Sequence, residues 1–278
     1  MDESALRTDM IEGIEHQIGE PLGASVLTAL QRVPRERFIE DSPYANRASE
    51  HGGTRALAPA TVARMLTALD ADPDDSVLIV GAGIGYTAAA LSEIVGAKRV
   101  HAIDIDRDAV HLARSNLADA GYDAVLVDRR DGAVGLPEYA PYDRILLEAA
   151  VVEPPRPLRE QLTDGGRLVY PHGTAIQTIV AVEPEGSEVA SAPEGSDVVS
   201  EADPEPIVGD TAGSPTVPAG FRLVETAGPA RLRPMLVDGE QFGVERNRTR
   251  REDAEFAKRG RAAKHGWERE WIDWDAHG

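Results

Sequence analysis

The run Val77-Leu78-Ile79-Val80 is followed by Gly81-Ala82-Gly83-Ile84-Gly85-Tyr86 and then by the helical pattern TAAALSEIV. Glycines at this spacing let a chain turn sharply out of a strand, and the helix N-terminus that follows offers unpaired N–H groups to an anion. Tyr86 stands where a dinucleotide fingerprint carries its third glycine, so the loop favours a ligand without a pyrophosphate. Asp104 ends the next strand pattern, 19 residues after Gly85, where a carboxylate can accept from both ribose hydroxyls. Asp106 is close by, but alternation favours Asp104. Asp131-Gly132 follows the third strand pattern, where an acid can accept from the exocyclic amine of adenine. Singly, each of these is a common structural turn or a solvated loop-end acid. Together they recur at the carboxyl ends of successive strands, which is where open α/β sheets bind ligands. S-adenosylmethionine, with a carboxylate, an amine, a ribose and an adenine, meets that description.

Positioning such residues requires strands and helices in alternation. Short apolar runs at 77–80, 99–104, 124–128, 142–150 and RLVYPHG read as strands. DAVHLARSNLADAG and PLREQL read as helices between them, with DGG as a turn. The pattern predicts a doubly wound α/β domain with a mostly parallel, Rossmann-like sheet over residues 73–238. Residues 1–72 read as a helical part. LTALQRVPRERFI is helical up to Pro34, HGGTRALAP is a loop, and TVARMLTALDA places Val62, Met65, Leu66 and Leu69 on one face. Residues 183–220 hold nine acids and no Lys or Arg among many Pro, Gly and Ser, so a flexible acidic insertion is expected there. Strand patterns resume at GFRLVET and ARLRPMLVDG. Residues 239–278 form a charged helical tail with Trp267, Trp271 and Trp274 on one face, suited to docking on the parent domain or to a homo-oligomer contact.

Composition narrows the classes. Of 278 residues, 29 are Lys or Arg and 48 are Asp or Glu, a formal charge of −19 that disfavours a nucleic-acid partner. Only Lys98, Lys258 and Lys264 are lysines, and the acid excess resembles that of proteins from salt-loving archaea, where salt screens self-repulsion. The absence of cysteine excludes disulfides and thiolate chemistry. No apolar run is long enough to span a membrane, the start MDESALRTDMIEG does not read as a secretory signal, and a cytoplasmic protein is expected. The histidines show no metal-ligand spacing. His101, inside a strand, reads as packed, and His172 as a loop residue that could edge the pocket. Arg-rich RNRTRRED has interleaved acids and reads as a solvated helix face.

From about Leu27 to Gly173 the chain resembles a class I S-adenosylmethionine-dependent methyltransferase, and more narrowly the protein-L-isoaspartate O-methyltransferase family. The phrases that carry the likeness are QRVPRERFI, GIGYTAAALSEIVG, DGAVGLPEYAPYDRILLEAA and EQLTDGGRLVYPHG. RLRPML resembles the family's final strand, which would make 183–220 an insertion within the domain. The resemblance implies methyl transfer to the stray carboxylate of L-isoaspartyl residues in damaged, flexible polypeptides, followed by closure to a succinimide. It also implies that Gly81, Gly83, Gly85, Asp104, Asp131 and Gly132 hold S-adenosylmethionine.

Two positions depart from the family. Its substrate loop carries a serine whose place here is Ala56 or Leu57, depending on the direction of counting, with Thr54 or Thr61 as substitutes. Its first strand carries an acid that helps to hold the methionine end of the cofactor, and here that residue is Ile79. Two other readings therefore stand beside isoaspartyl transfer. One is a non-catalytic binding module on the same fold, and the other is a methyltransferase with a different acceptor.

Overall fold

A computed structural model describes residues 3–186, 215 and 217–235. All belong to the compact unit Met1–Val244, and Glu245–Gly278 is a separate unit. Most of the acidic stretch and the whole Trp-bearing tail, with the expectations attached to them, therefore lie outside the described residues.

Two helices, α1 (Glu3–Ile18) and α2 (Ala24–Arg32), lead through a 3-10 turn at Arg35–Arg37. A small antiparallel pair follows, β1 (Ser49–His51) with β2 (Thr54–Ala56), and then α3 (Pro59–Leu69). The loop expected at HGGTRALAP is thus a hairpin. Gly52 and Gly53 form its turn with φ of 54° and 82°, the left-handed values a tight two-residue hairpin needs. In α3, Pro59 sits in the first turn, where its missing N–H costs nothing, and Val62, Met65, Leu66 and Leu69 are all buried as their spacing predicts.

The main sheet is built from β3 (Val77–Val80), β4 (Val100–Asp104), β5 (Leu126–Arg129), β6 (Tyr142–Leu147), β7 (Leu162–Gly173), β8 (Gln177–Pro184) and β9 (Phe221–Ala230). Their spatial order is β5-β4-β3-β6-β7-β8-β9. From β5 through β7 the pairing is parallel, and β8 and β9 add an antiparallel edge. Helices α4 (Tyr86–Val95), α5 (Arg107–Asp119) and α6 (Arg156–Glu160) connect the parallel strands. The expected doubly wound α/β architecture is present. Val77 and Ile79 face one apolar core, shared with α1 to α5, while Leu78 and Val80 face a second core with Leu158 of α6. Burial on both faces is why β3 is apolar throughout and does not alternate.

Several local expectations are corrected. The DGG turn lies inside β7: the β6–β7 register jumps between Tyr142 and Arg144, and a bulge absorbs the extra residues. The expected acidic insertion begins too early, because β8 continues through Pro184. There the Glu183 carboxylate receives the Arg167 and Arg222 guanidiniums, and an anchored, buried strand end replaces the free one. Residues 231–235 form no strand; Pro234 makes an isolated bridge to Ala150. His172 is in β7 and not in a loop. His101 is packed as expected, between the rings of Tyr139 and Tyr142. Among the described residues no helix is long and apolar enough to cross a membrane.

Candidate active site

The loop after β3 is fastened to β4 at two levels. The N–H groups of Gly81 and Ala82 both donate to the Ile103 carbonyl, at 2.8 and 3.0 Å, and Gly83 N–H donates to Asp104 Oδ2 at 3.1 Å. Asp104 Oδ1 accepts from Asp106 N–H at 3.0 Å. Each carboxylate oxygen retains lone-pair capacity for a ligand hydroxyl. Burial pushes the Asp104 carboxyl up from the ordinary range, against the lowering effect of these backbone bonds.

Three glycines of the loop have φ of 99° (Gly81), 54° (Gly83) and 88° (Gly85), which side chains with a Cβ rarely adopt. Space selects glycine as well. A Cβ on Gly85 would lie 3.1 Å from Leu117 Cγ, so this glycine lets α5 approach the loop. Gly85 also begins α4, whose first N–H groups point out of the turn.

Asp131 and Gly132 lie just beyond β5, which is parallel to β4 and next to it, so both acids stand at the same end of the sheet. Asp131 Oδ1 accepts from Ala133 N–H at 2.8 Å. With Ile105, Arg129, Arg130 and Val134 it lines a cleft of about 270 Å³. Gly132 is also closely packed: a Cβ there would fall 2.5 Å from Val80 Cγ1 and 2.8 Å from Met235 Cε.

The hairpin lies against the glycine loop, with the Arg55 carbonyl 3.8 Å from where a Gly83 Cβ would stand. Thr54 is in β2, opposite His51. Ala56 is 1% exposed and Leu57 packs on the core, so neither offers a hydroxyl.

Three functional candidates escape sequence reasoning. Arg35 is 1% exposed; its Nε donates to the Pro43 carbonyl at 2.8 Å and its Nη2 to the Leu57 carbonyl at 2.7 Å. Its guanidinium lies 4.2 Å from the centre of the Tyr86 ring, which meets Phe38 edge-on at 5.6 Å. Tyr86, the residue that spoils the dinucleotide fingerprint, is therefore the link between the helical part and the glycine loop. The third is Glu148, directly after β6. Its N–H donates to the Val80 carbonyl at 2.8 Å, which lays the side chain against Gly81. Burial, with Asp104 as a nearby like charge, pushes its carboxyl up to about 7, opposed by the Thr87 hydroxyl and by Arg35. RVPRERF carries Arg35 and the end of YDRILLEAA carries Glu148, but nothing in either phrase says that they meet beneath one loop.

Residues 9–198 match the family described as protein-L-isoaspartate (D-aspartate) O-methyltransferase. The chain belongs to that family. It is 42% identical over 192 residues to the protein-L-isoaspartate O-methyltransferase of Aeropyrum pernix, covering 65% of this chain and 73% of that one. A solved protein-L-isoaspartate O-methyltransferase superposes with a TM-score of 0.56 at 26% identity, covering 63% of this chain and 59% of the other. A Plasmodium falciparum protein of the same description, solved with S-adenosyl-L-homocysteine, shares the fold at a TM-score of 0.56 and 18% identity, over 67% of this chain and 92% of that one. Within this family the departure at Ile79 becomes concrete. Its side chain is buried in the core behind the glycine loop, and Glu148, just after the neighbouring strand β6, is an acid that lies against the loop.

Proposed function

We propose that this protein transfers the methyl group of S-adenosylmethionine to the carboxylate of L-isoaspartyl residues in damaged, flexible polypeptides. The observation that carries the reading is the joint placement of Asp104 and Asp131 at the carboxyl ends of adjacent parallel strands, with Asp104 holding Gly83 and a cleft beside Asp131. These groups fit the cofactor. Asp131 would accept from the adenine amine and Asp104 from the ribose hydroxyls. The α4 N-terminus favours a carboxylate, and positive-φ glycines leave the loop surface bare. When bound, the cofactor supplies an electrophilic methyl on a cationic sulfur.

The protein's own contribution is to bind, orient and exclude water. The acceptor carboxylate titrates near ~3.9 when free and is already ionised at neutral pH, so no strong base is required. That agrees with a hairpin whose Ala56 and Leu57 offer no hydroxyl. Arg35 fixes the hairpin through Pro43 and Leu57 and fixes the glycine loop through Tyr86, so one buried cation sets the distance between the two halves of the site. The hairpin over the loop shields the reacting centre, which strengthens attraction between a carboxylate and a sulfonium.

A cytoplasmic setting at high salt agrees with the charge of −19. The test is transfer of labelled methyl to an isoaspartyl peptide and to its aspartyl twin in concentrated KCl. The proposal requires base-labile label on the first and none on the second. Cofactor binding without label on either peptide would favour a different acceptor, a reading that the apolar Ala56 and Leu57 positions keep in view.

A further inference from the structure

The cofactor named above carries a cationic ammonium at its methionine end, and a cation needs an anion within reach. Around the glycine loop the acids are not equivalent. Asp104 has both oxygens bonded to backbone N–H groups, and Asp131 Oδ1 accepts from the N–H of Ala133, two residues on. Ile79 supplies no charge at all. Glu148 differs from all of them: its Oε1 is withdrawn from solvent and accepts no hydrogen bond.

Its position is imposed by the backbone. Because Glu148 N–H donates to the Val80 carbonyl, the residue extends β6 alongside Gly81. Its Cβ stands 3.2 Å from where a Gly81 Cβ would be, and its Oε2 stands 3.8 Å from where a Gly83 Cβ would be. Glycine at 81 is thus what lets this acid lie against the loop. A carboxylate in such surroundings with an unused oxygen is costly unless a cation joins it.

We propose that Glu148 is a cofactor-binding residue whose Oε1 accepts from the α-ammonium group of S-adenosylmethionine. The inference rests on the function proposed above and adds to it the residue that recognises the amino-acid end. The groups facing Glu148 are the Thr87 hydroxyl from α4, the Asp104 carboxylate from β4 and the Arg35 guanidinium from the turn after α2. Arg35 is spent on two carbonyls and the Tyr86 ring, and its Nη1 has no partner, so it moderates the field without neutralising Glu148 in a direct ion pair.

A consequence is proton release. With its carboxyl pushed up to about 7 by burial in the free protein, Glu148 is partly protonated near neutral pH, and an arriving ammonium drives it to the ionised form. Affinity for ligands bearing the amine should rise with pH through about 7.

The experiment is calorimetry at pH 7 in concentrated KCl, in two buffers of different ionisation enthalpy. The ligands are S-adenosyl-L-homocysteine and its analogue lacking the α-amino group. For the unaltered protein the first ligand should release a measurable fraction of a proton, and the analogue none, with affinity roughly 10- to 100-fold lower, as expected for loss of a hydrogen bond between charged groups. In Glu148→Gln the affinity gap should shrink to a few-fold and the proton release should vanish. An unchanged gap and proton count in the variant would overturn the assignment while leaving the cofactor reading intact. Equal binding of both ligands by the unaltered protein overturns it without any variant. Failure of the unaltered protein to bind either ligand sinks the cofactor reading itself, and the assignment with it.

Discussion

The strand ends that carry Asp104 and Asp131, with the cleft beside Asp131, and the hairpin that lies over the glycine loop are built on opposite plans. At the strand ends, Asp104 hangs from β4, paired in parallel on both sides, and Asp131 follows the edge strand β5, paired in parallel with β4, and each acid is tied to nearby backbone N–H groups. The hairpin is a two-stranded piece of three residues a side, outside the main sheet. Arginines hold this segment in place, Arg35 through the flanking Pro43 and Leu57 carbonyls and Arg233 through the Gly53 carbonyl and the Glu50 carboxylate, together with its own glycine turn. Binding groups that must not move are mounted on the sheet. The hairpin is mounted on arginine pins, of which Arg35 is the buried one.

The most forceful way to break that contrast is to remove the buried pin. Arg35→Met deletes two hydrogen bonds from a buried guanidinium to part-buried carbonyls and the cation over Tyr86, so unfolding in urea should show a loss of about 3–5 kcal/mol. If the protein is kept below its new midpoint, methylation of an isoaspartyl peptide should fall far more than binding of S-adenosyl-L-homocysteine. Equal losses in both would mean that hairpin and cleft are one unit.

Asp104→Asn attacks the other side. It weakens the bond to Gly83 N–H and removes the charge, so affinity for S-adenosyl-L-homocysteine should drop by roughly 10- to 100-fold, with the unfolding midpoint little changed. A variant that binds normally would remove Asp104 from the site.

Glu148→Gln sharpens the comparison through pH. The native carboxyl titrates near 7 and the unfolded one near 4.5, so between these values the native state holds a proton that the unfolded state has lost. Stability of the unaltered protein therefore falls as pH rises from about 4.5 to about 7 and is level above it. The glutamine variant lacks that loss and should be more stable without ligand by about 1–3 kcal/mol above pH 7, with the gap closing below pH 5. Melting curves at several pH values in the same salt would check this. A variant less stable than its parent at pH 8 would contradict the raised carboxyl.

The smallest effect is expected at the hairpin itself. Ala56→Ser puts a hydroxyl at one of the two places where the family has its serine. Since the acceptor is ionised without help, the methylation rate should change by no more than about 3-fold. A gain of a hundred-fold would show that the hydroxyl, and not placement by Arg35, was the missing element.

How much of this was legible beforehand depends on the range of the interaction. Gly81, Gly83, Gly85 and Asp104 were readable because a strand, a turn and a helix occupy consecutive residues, and the next strand returns beside the first. The hairpin was announced by Gly52-Gly53 but hidden by a stretch too short to show alternation. The crowding at Gly132 is not readable from its own residue, since only the neighbouring Val80 and Met235 reveal why no side chain fits. DGG looked like a turn because glycines mark turns and bulges alike, and the partner strand decides which.

Local chemistry along the chain was enough to determine an alternating α/β domain, a glycine loop fit for an adenosine-bearing ligand, and two acids at strand ends. Only the folded arrangement decided that Arg35 spans the hairpin and the loop, that Tyr86 is its platform, and that Glu148 lies where Ile79 has no charge to offer. The physical reason is that a strand's backbone pattern is written in its own residues. The environment of a buried charge is written in residues far apart in the chain, whose proximity no spacing encodes.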